Sequence, residues 1–185
     1  IEAKYDDIKI PNPEKAVFIC YENKKTKVLN EKGEEIFTQY EKIEPMQNQD
    51  KSGNIWYETN VLKVQKDGKY GLINFDGKEV IPTEYDEITV IPQIENSFKV
   101  KKDSKYGIVD SDGKTVIQAQ YADIDVLGKD NKSGFIVKTD NGKYGIVDYS
   151  NTLILEAKYD SVEKVYGNDM YVVTENGKQK LVNKS

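Results

Sequence analysis

Carboxylates are the first residues to weigh, because two of them flanking a glycosidic bond suffice for glycoside hydrolysis. The chain carries close pairs at Glu34-Glu35, Asp86-Glu87 and Asp123/Asp125. None lies in a distinctive motif and most recur periodically, so solvated surface charge is their default role. Asp110-Ser111-Asp112-Gly113 resembles the start of a calcium loop, but that motif needs a Glu at its twelfth position. Tyr121 stands there, and a hairpin turn explains the segment better. There is no histidine, which removes the commonest general base and metal ligand. The single Cys20 excludes an internal disulfide and a cysteine-based zinc site, and no histidine is present to activate it. It lies in the apolar run Ala16-Val17-Phe18-Ile19-Cys20-Tyr21, where a small buried hydrophobe is expected. No Gly-x-Ser-x-Gly elbow or phosphate-cradling loop is present. The expectation is a non-enzyme without metal or cofactor, with a carboxylate-based hydrolase as the outlying alternative.

Composition narrows the partners. Lys+Arg number 27, all of them lysine, against 32 Asp+Glu, so the net charge is −5 and nucleic acid is not an expected ligand. No apolar run approaches the ~20 residues of a membrane-spanning helix. Aromatic residues make up 10% of the 185, too many for a disordered chain. A single domain over residues 1–185 is expected.

The elements that must carry any site repeat. Lys69-Tyr70-Gly71-Leu72-Ile73-Asn74, Lys105-Tyr106-Gly107-Ile108-Val109-Asp110 and Lys143-Tyr144-Gly145-Ile146-Val147-Asp148 are successive copies. Each leads to a second tyrosine, at Tyr85-Asp86, Tyr121-Ala122-Asp123 and Tyr159-Asp160. A weaker copy near Ala16 has Thr26-Lys27 in place of Tyr-Gly. The first residues, Ile1 to Ile8, match Leu155 to Val162, and the last, Tyr171 to Ser185, match a repeat's front half. The repeats run approximately 16–45, 61–91, 98–127 and 135–165, with a split repeat of 171–185 plus 1–10. Asp67-Gly68, Asp76-Gly77, Asn141-Gly142 and Asn176-Gly177 are hairpin signals between short alternating strands. The chain reads as all-β, built of antiparallel hairpins.

The pattern Lys-Tyr-Gly-Ile-Val-Asp-x-x-Gly-Lys-x-Val-Ile…Tyr-Asp resembles the bacterial WG (KWG) repeat family, with Tyr where the family often has Trp. The resemblance is specific at Lys69 to Ile88, Lys105 to Ile124 and Lys143 to Val162. It implies a β-rich, non-catalytic array, often in multi-repeat or surface-associated bacterial proteins, and it carries no catalytic residues to transfer. It tilts the expected location to the bacterial cell surface or exterior.

One hairpin unit cannot bury its apolar face alone, so neighbours share a core. Complementary half-repeats at the two ends suit a five-bladed, propeller-like ring closed by the termini; the alternative is an open β-solenoid. Tyr70, Tyr106, Tyr144, Tyr85, Tyr121 and Tyr159 are either packing residues or stacking platforms for sugars. Recurrence at equivalent positions favours packing. Gly71, Gly107 and Gly145 mark close backbone approach.

Departure from the repeat points to function. Tyr40 to Tyr85 spans 45 positions, about nine more than the other spacings, and the excess lies in Met46 to Asn60. Insertions in repeat folds map to loops, often on the binding face. The expected site is therefore Asp50, Asn54, Trp56 and Tyr57, with the connections Pro92–Ser97, Leu127–Gly134 and Tyr166–Asp169 on the same side. Trp56 could instead begin an outer strand and be half buried. A protein or peptide is the expected partner, with glycan or cell wall as the alternative.

Overall fold

A computed structural model of the chain describes residues 4–127, 134–165 and 169–183. Among them are nineteen strands and no helix, arranged in five sheets. The first holds β1 (Asp7–Lys9), β2 (Phe18–Glu22), β3 (Lys25–Leu29) and β4 (Glu35–Ile36). The second holds β5 (Lys42–Gln49), β6 (Ile55–Lys66), β7 (Lys69–Ile73) and β8 (Glu79–Tyr85). The third holds β9 (Glu87–Ile91), β10 (Ile94–Lys102), β11 (Lys105–Asp110) and β12 (Thr115–Tyr121). The fourth holds β13 (Asp123–Val126), β14 (Phe135–Lys138), β15 (Tyr144–Val147) and β16 (Leu153–Tyr159). The fifth holds β17 (Ser161–Val165), β18 (Met170–Glu175) and β19 (Lys178–Asn183). Within each sheet the strands pair in chain order, and the ladders are antiparallel.

The all-β hairpin architecture is the one expected, but the sheets are cut in a different phase from the sequence repeats. Each sheet opens with the strand that follows a tyrosine–acid pair or its variant: β1 after Tyr5-Asp6, β5 after Tyr40-Glu41, β9 after Tyr85-Asp86, β13 after Tyr121-Ala122 and β17 after Tyr159-Asp160. Residues 7–9 pair with β2 in the first sheet, and Tyr171 lies in β18 of the fifth. The described parts of the expected split repeat, 171–185 plus 1–10, thus lie in the fifth and first sheets. Residues 1–3 and 184–185 lie outside the described residues.

The acid after the tyrosine explains the phase. The hairpins turn at Asn23-Lys24, Asp67-Gly68, Asp103-Ser104 and Asn176-Gly177, with both residues at positive φ, as type I′ turns require. Their first amide needs an acceptor from outside the hairpin. Asp6 Oδ2 takes Asn23 N at 2.9 Å and Glu41 Oε1 takes Asp67 N at 2.8 Å. Asp160 accepts from the Asn176 and Gly177 amides. The acid therefore ends one sheet and caps the next. In the fourth sheet Ala122 replaces it, and the turn changes to match. Residues 66–69 separate the paired Gln65 and Tyr70, whereas 139–143, one residue more, separate Lys138 and Tyr144. That longer turn satisfies itself, with Thr139 Oγ1 donating to Asn141 Oδ1 at 2.5 Å.

Glycine in Tyr-Gly is required by packing. Opposite Gly71, Gly107 and Gly145 the fourth strand bulges, and the register shifts between the flanking pairs. A Cβ on these glycines would lie 2.6–2.7 Å from backbone atoms of that strand. The first sheet has Lys27 at this position. Its fourth strand, β4, pairs only as Val28↔Ile36 and Leu29↔Glu35.

The chain divides into two compact units, Ile1–Val100 with Asp110–Lys114, and Lys101–Val109 with Thr115–Ser185. In the first, Val17, Ile19, Val28, Ile43, Leu62 and Ile73 pack together between the first two sheets. In the second, Leu127, Ile146, Leu155, Tyr159, Tyr171 and Val173 do so. Cys20 is fully buried, as expected.

Candidate functional site

The recurring tyrosines are cross-strand partners: Tyr70↔Tyr85, Tyr106↔Tyr121 and Tyr144↔Tyr159. Tyr159 is buried and the other five are half-buried. A lysine ammonium sits near a ring in each pair, 5.4 Å away for Lys63 over Tyr70, 5.2 Å for Lys101 over Tyr106 and 5.2 Å for Lys138 over Tyr144. Lys158 and Lys180 both approach Tyr159. The lysine of Lys-Tyr-Gly pairs with the following acid in Lys69–Asp86 and Lys143–Asp160; where Ala122 replaces that acid, Lys105 pairs with Asp140 instead. This lattice recurs in sheet after sheet and builds the unit.

The insertion is different. It lengthens β5 and β6 into a hairpin beyond the repeat, with the register Gln47↔Tyr57, Asn48↔Trp56 and Gln49↔Ile55. Residues 58–61 of β6 stand against Met46 alone, a wide bulge that absorbs the extra chain. Asp50 closes the hairpin. Its Oδ1 accepts Ser52 N at 2.7 Å and Asn54 N at 2.9 Å, and its Oδ2 accepts Asn54 Nδ2 at 2.7 Å. These donors, the Asn54 side chain foremost, hold the Asp50 carboxyl below its ordinary value. The same turn recurs at Asn30, Asn74, Asp110 and Asp148, each accepting from the second and fourth following amides. Asp110-Ser111-Asp112-Gly113 is thus a turn of this kind. Asp50 and Asn54, expected to bind a partner, form the turn that shapes the hairpin.

Inward from the tip, two polar side chains are buried. Asn48 and Glu58 are each 2% exposed. Asn48 Nδ2 donates to Glu58 Oε1 at 3.1 Å, Ile91 O at 3.2 Å and Ile94 O at 3.0 Å. Asn48 Oδ1 accepts Gln93 N at 3.2 Å and Gln49 N at 2.8 Å, and Glu58 Oε2 accepts Asn96 N at 2.9 Å. Gln93 in the β9–β10 turn and Asn96 near the start of β10 have positive φ, and this amide–carboxylate clamp over-determines both. Beside the clamp lies a cleft of about 230 Å³ lined by Gln47, Asn48, Gln49, Val90 and Pro92.

Residues 70–106, 106–143 and 144–178 match the family described as WG containing repeat, in three consecutive copies. The chain belongs to this family. A comparison with curated proteins finds no match. Similar solved structures include the computationally designed Ika8 protein, 12% identical over 95% of this chain and 57% of that one, with a TM-score of 0.37. The computationally designed Ika4 protein is 15% identical over 68% of this chain and 86% of that one, with a TM-score of 0.36. PorZ of Porphyromonas gingivalis, an essential bacterial surface component of the type-IX secretion system, is 7% identical over 100% of this chain and 26% of that one, with a TM-score of 0.31.

Against this WG-repeat background, the remaining expected site residues separate. Trp56 is half-buried and lies opposite Asn48; its buried Nε1 has no acceptor among the described residues. Tyr57 points to the other face, where its hydroxyl and Asp7 both hold the Lys9 ammonium and raise its pKa, Asp7 the more strongly. Pro92–Ser97 belongs with the insertion through the clamp. Residues 128–133 and 166–168, which make up most of the other two connections, lie outside the described residues. Sequence reasoning missed Gln47, Asn48 and Glu58. The available signal was parity: Met46 and Asn48 share the inward face of β5.

A second cluster in the insertion's own sheet makes a pH prediction. Burial alone would raise the Glu44 carboxyl, but Lys42 Nζ at 2.7 Å and Lys63 Nζ at 3.3 Å outweigh it and hold it below its ordinary value. A depressed carboxyl adds stability above its unfolded value and loses it as pH falls through the lower folded value. Glu44→Gln is expected to cost less than about 1 kcal/mol at pH 7, because the pair is partly exposed. It should also flatten the fall in stability below the unfolded value of about 4.5. Urea midpoints measured across that range check this; parallel acid limbs in both proteins would contradict it.

Proposed function

We propose that this WG-repeat chain is a non-catalytic binding module that takes a protein or peptide on the β5–β6 hairpin and the adjoining β9–β10 turn. The observation that carries this reading is the non-repeated hairpin itself, held against that turn by the Asn48–Glu58 clamp and bordered by a cleft. A residue needed by every unit builds the unit, whereas a rigidly supported departure from the repeat presents something new. The cleft mixes amide side chains, Gln47 and Gln49, with the apolar Val90 and Pro92, a combination suited to a polypeptide.

The half-buried tyrosines with lysines close to their rings support a packing role over sugar stacking. Glu34 accepts from Asn30, Asp86 holds Lys69 and Asp123 accepts from Ile124 N, so local bonds account for one carboxylate of each pair that suggested hydrolysis.

The test is a selection of random linear peptides displayed on phage, run beside a glycan array, with NMR mapping of any binder. Peptides should be enriched, and their shift changes should concentrate on residues 45–58 and 90–94. Glycan binding alone, or a footprint centred on Tyr106 and Tyr144, would overturn the proposal.

A further inference from the structure

Among the described residues the sheet order leaves β5 at the edge of the second sheet, with only β6 beside it. In an antiparallel ladder the backbone groups of successive residues point alternately towards the partner strand and away from it. Asp50 N donates across the hairpin to Asn54 O at 2.9 Å, which fixes the alternation. Asn48 therefore faces β6, while the N–H and C=O of Gln47 and the C=O of Gln49 face outward. Gln49 N also lies outward, and the Asn48 side chain already takes it at 2.8 Å. Pro45 agrees with this phase, since a proline without an N–H is tolerated where that position faces away from the ladder. The outward groups open onto the cleft, whose far wall is Val90 and Pro92.

We infer that the cleft binds its partner by strand addition: a short extended polypeptide segment pairs with the outer edge of β5 at Gln47 and sets one apolar side chain against Val90 and Pro92. This rests on the reading of the hairpin as a peptide-binding element and specifies its chemistry. Three features favour an extended backbone over another ligand. The exposed groups are a donor and acceptors at main-chain spacing. The flanking Gln47 and Gln49 side chains are neutral, so the edge selects no charge. The clamp fixes Gln49 and the β9–β10 turn, so the cleft is preformed and little ordering opposes binding. Recognition would come from main-chain hydrogen bonds, with specificity from the single apolar contact.

The experiment uses the full chain and a synthetic peptide carrying the sequence enriched by the phage selection. Gln47→Pro removes one outward N–H and leaves the β5–β6 ladder intact; Gln47→Ala keeps the N–H and removes the side chain. Strand addition predicts that Gln47→Pro weakens binding about tenfold or more, while Gln47→Ala changes it less than about threefold. N-methylation of single peptide amides, which needs no change in the protein, should abolish binding at alternate positions only. Equal losses for Gln47→Ala and Gln47→Pro, or indifference to N-methylation, would overturn strand addition and leave peptide binding standing. If no peptide is enriched at all, both readings fall.

Discussion

Gly107→Ala is expected to destabilise the protein by about 3 kcal/mol, the upper part of the range for overpacking a tight site. The cause is steric and lies entirely in the backbone. The new Cβ would lie 2.6 Å from Ile117 O, 2.7 Å from Ala119 N and 2.9 Å from Gln118 C. None of these atoms belongs to a flexible side chain that can swing away. They form the bulge where the register shifts between Tyr106↔Tyr121 and Ile108↔Ile117, so relief means moving a strand. Ile108 and Ile117 are 1% and 0% exposed, and such a movement would open the core at both. Gly142→Ala is the control. Gly142 has φ of 79°, yet nothing lies within 4 Å of its Cβ position. Its cost should be about 1 kcal/mol, from backbone conformation alone. Urea unfolding of the two variants distinguishes the causes. Equal losses would mean that the β12 bulge yields to a Cβ and does not require glycine opposite it.

That glycine also shows how much of the fold was legible from residue types. Close approach, hairpin turns and the absence of helix among the described residues all follow from local rules: a two-residue turn at positive φ favours Asp-Gly or Asn-Gly, and a bulged neighbour needs glycine. The phase of the sheets did not follow. The tyrosine–acid pair reads as the end of a unit, but the acid's partner is an amide in the next hairpin, as with Glu41 and Asp67 N. The site was half legible. A length difference located the insertion and its aromatic residues. It also took in Asp50 and Asn54, whose turn has copies at Asn30, Asn74, Asp110 and Asp148 that the residue types alone did not match to it. Asn48 and Glu58 were missed for a different reason. Polar residues on a strand read as solvent-facing, and only the β9–β10 turn packed over them makes them interior.

Asn48→Ala is the second large effect expected, again about 3 kcal/mol, and it acts through polar groups left behind. The substitution removes one donor group and one acceptor at a site 2% exposed. Glu58 Oε1, Ile91 O and Ile94 O each lose a donor, and the Gln93 and Gln49 amides each lose the Asn48 acceptor. A buried polar group stripped of its partner costs about 1–3 kcal/mol. Partial access of water through the adjoining cleft keeps the total near the value given. The damage should be local. Amide hydrogen exchange at Gln93 and Asn96 should accelerate, since the turn holds its positive φ values through this clamp, while exchange in β14 and β15 stays unchanged. Asn48→Asp should cost more than alanine, because it places a second carboxyl beside Glu58 without replacing the lost donor. Peptide affinity at the β5 edge should fall with the clamp, even though no group facing the cleft partner at Gln47 has been touched. A stable Asn48→Ala protein with unaltered exchange at Gln93 would mean that the turn holds its shape unaided. The insertion would then lose its claim to be a preformed site.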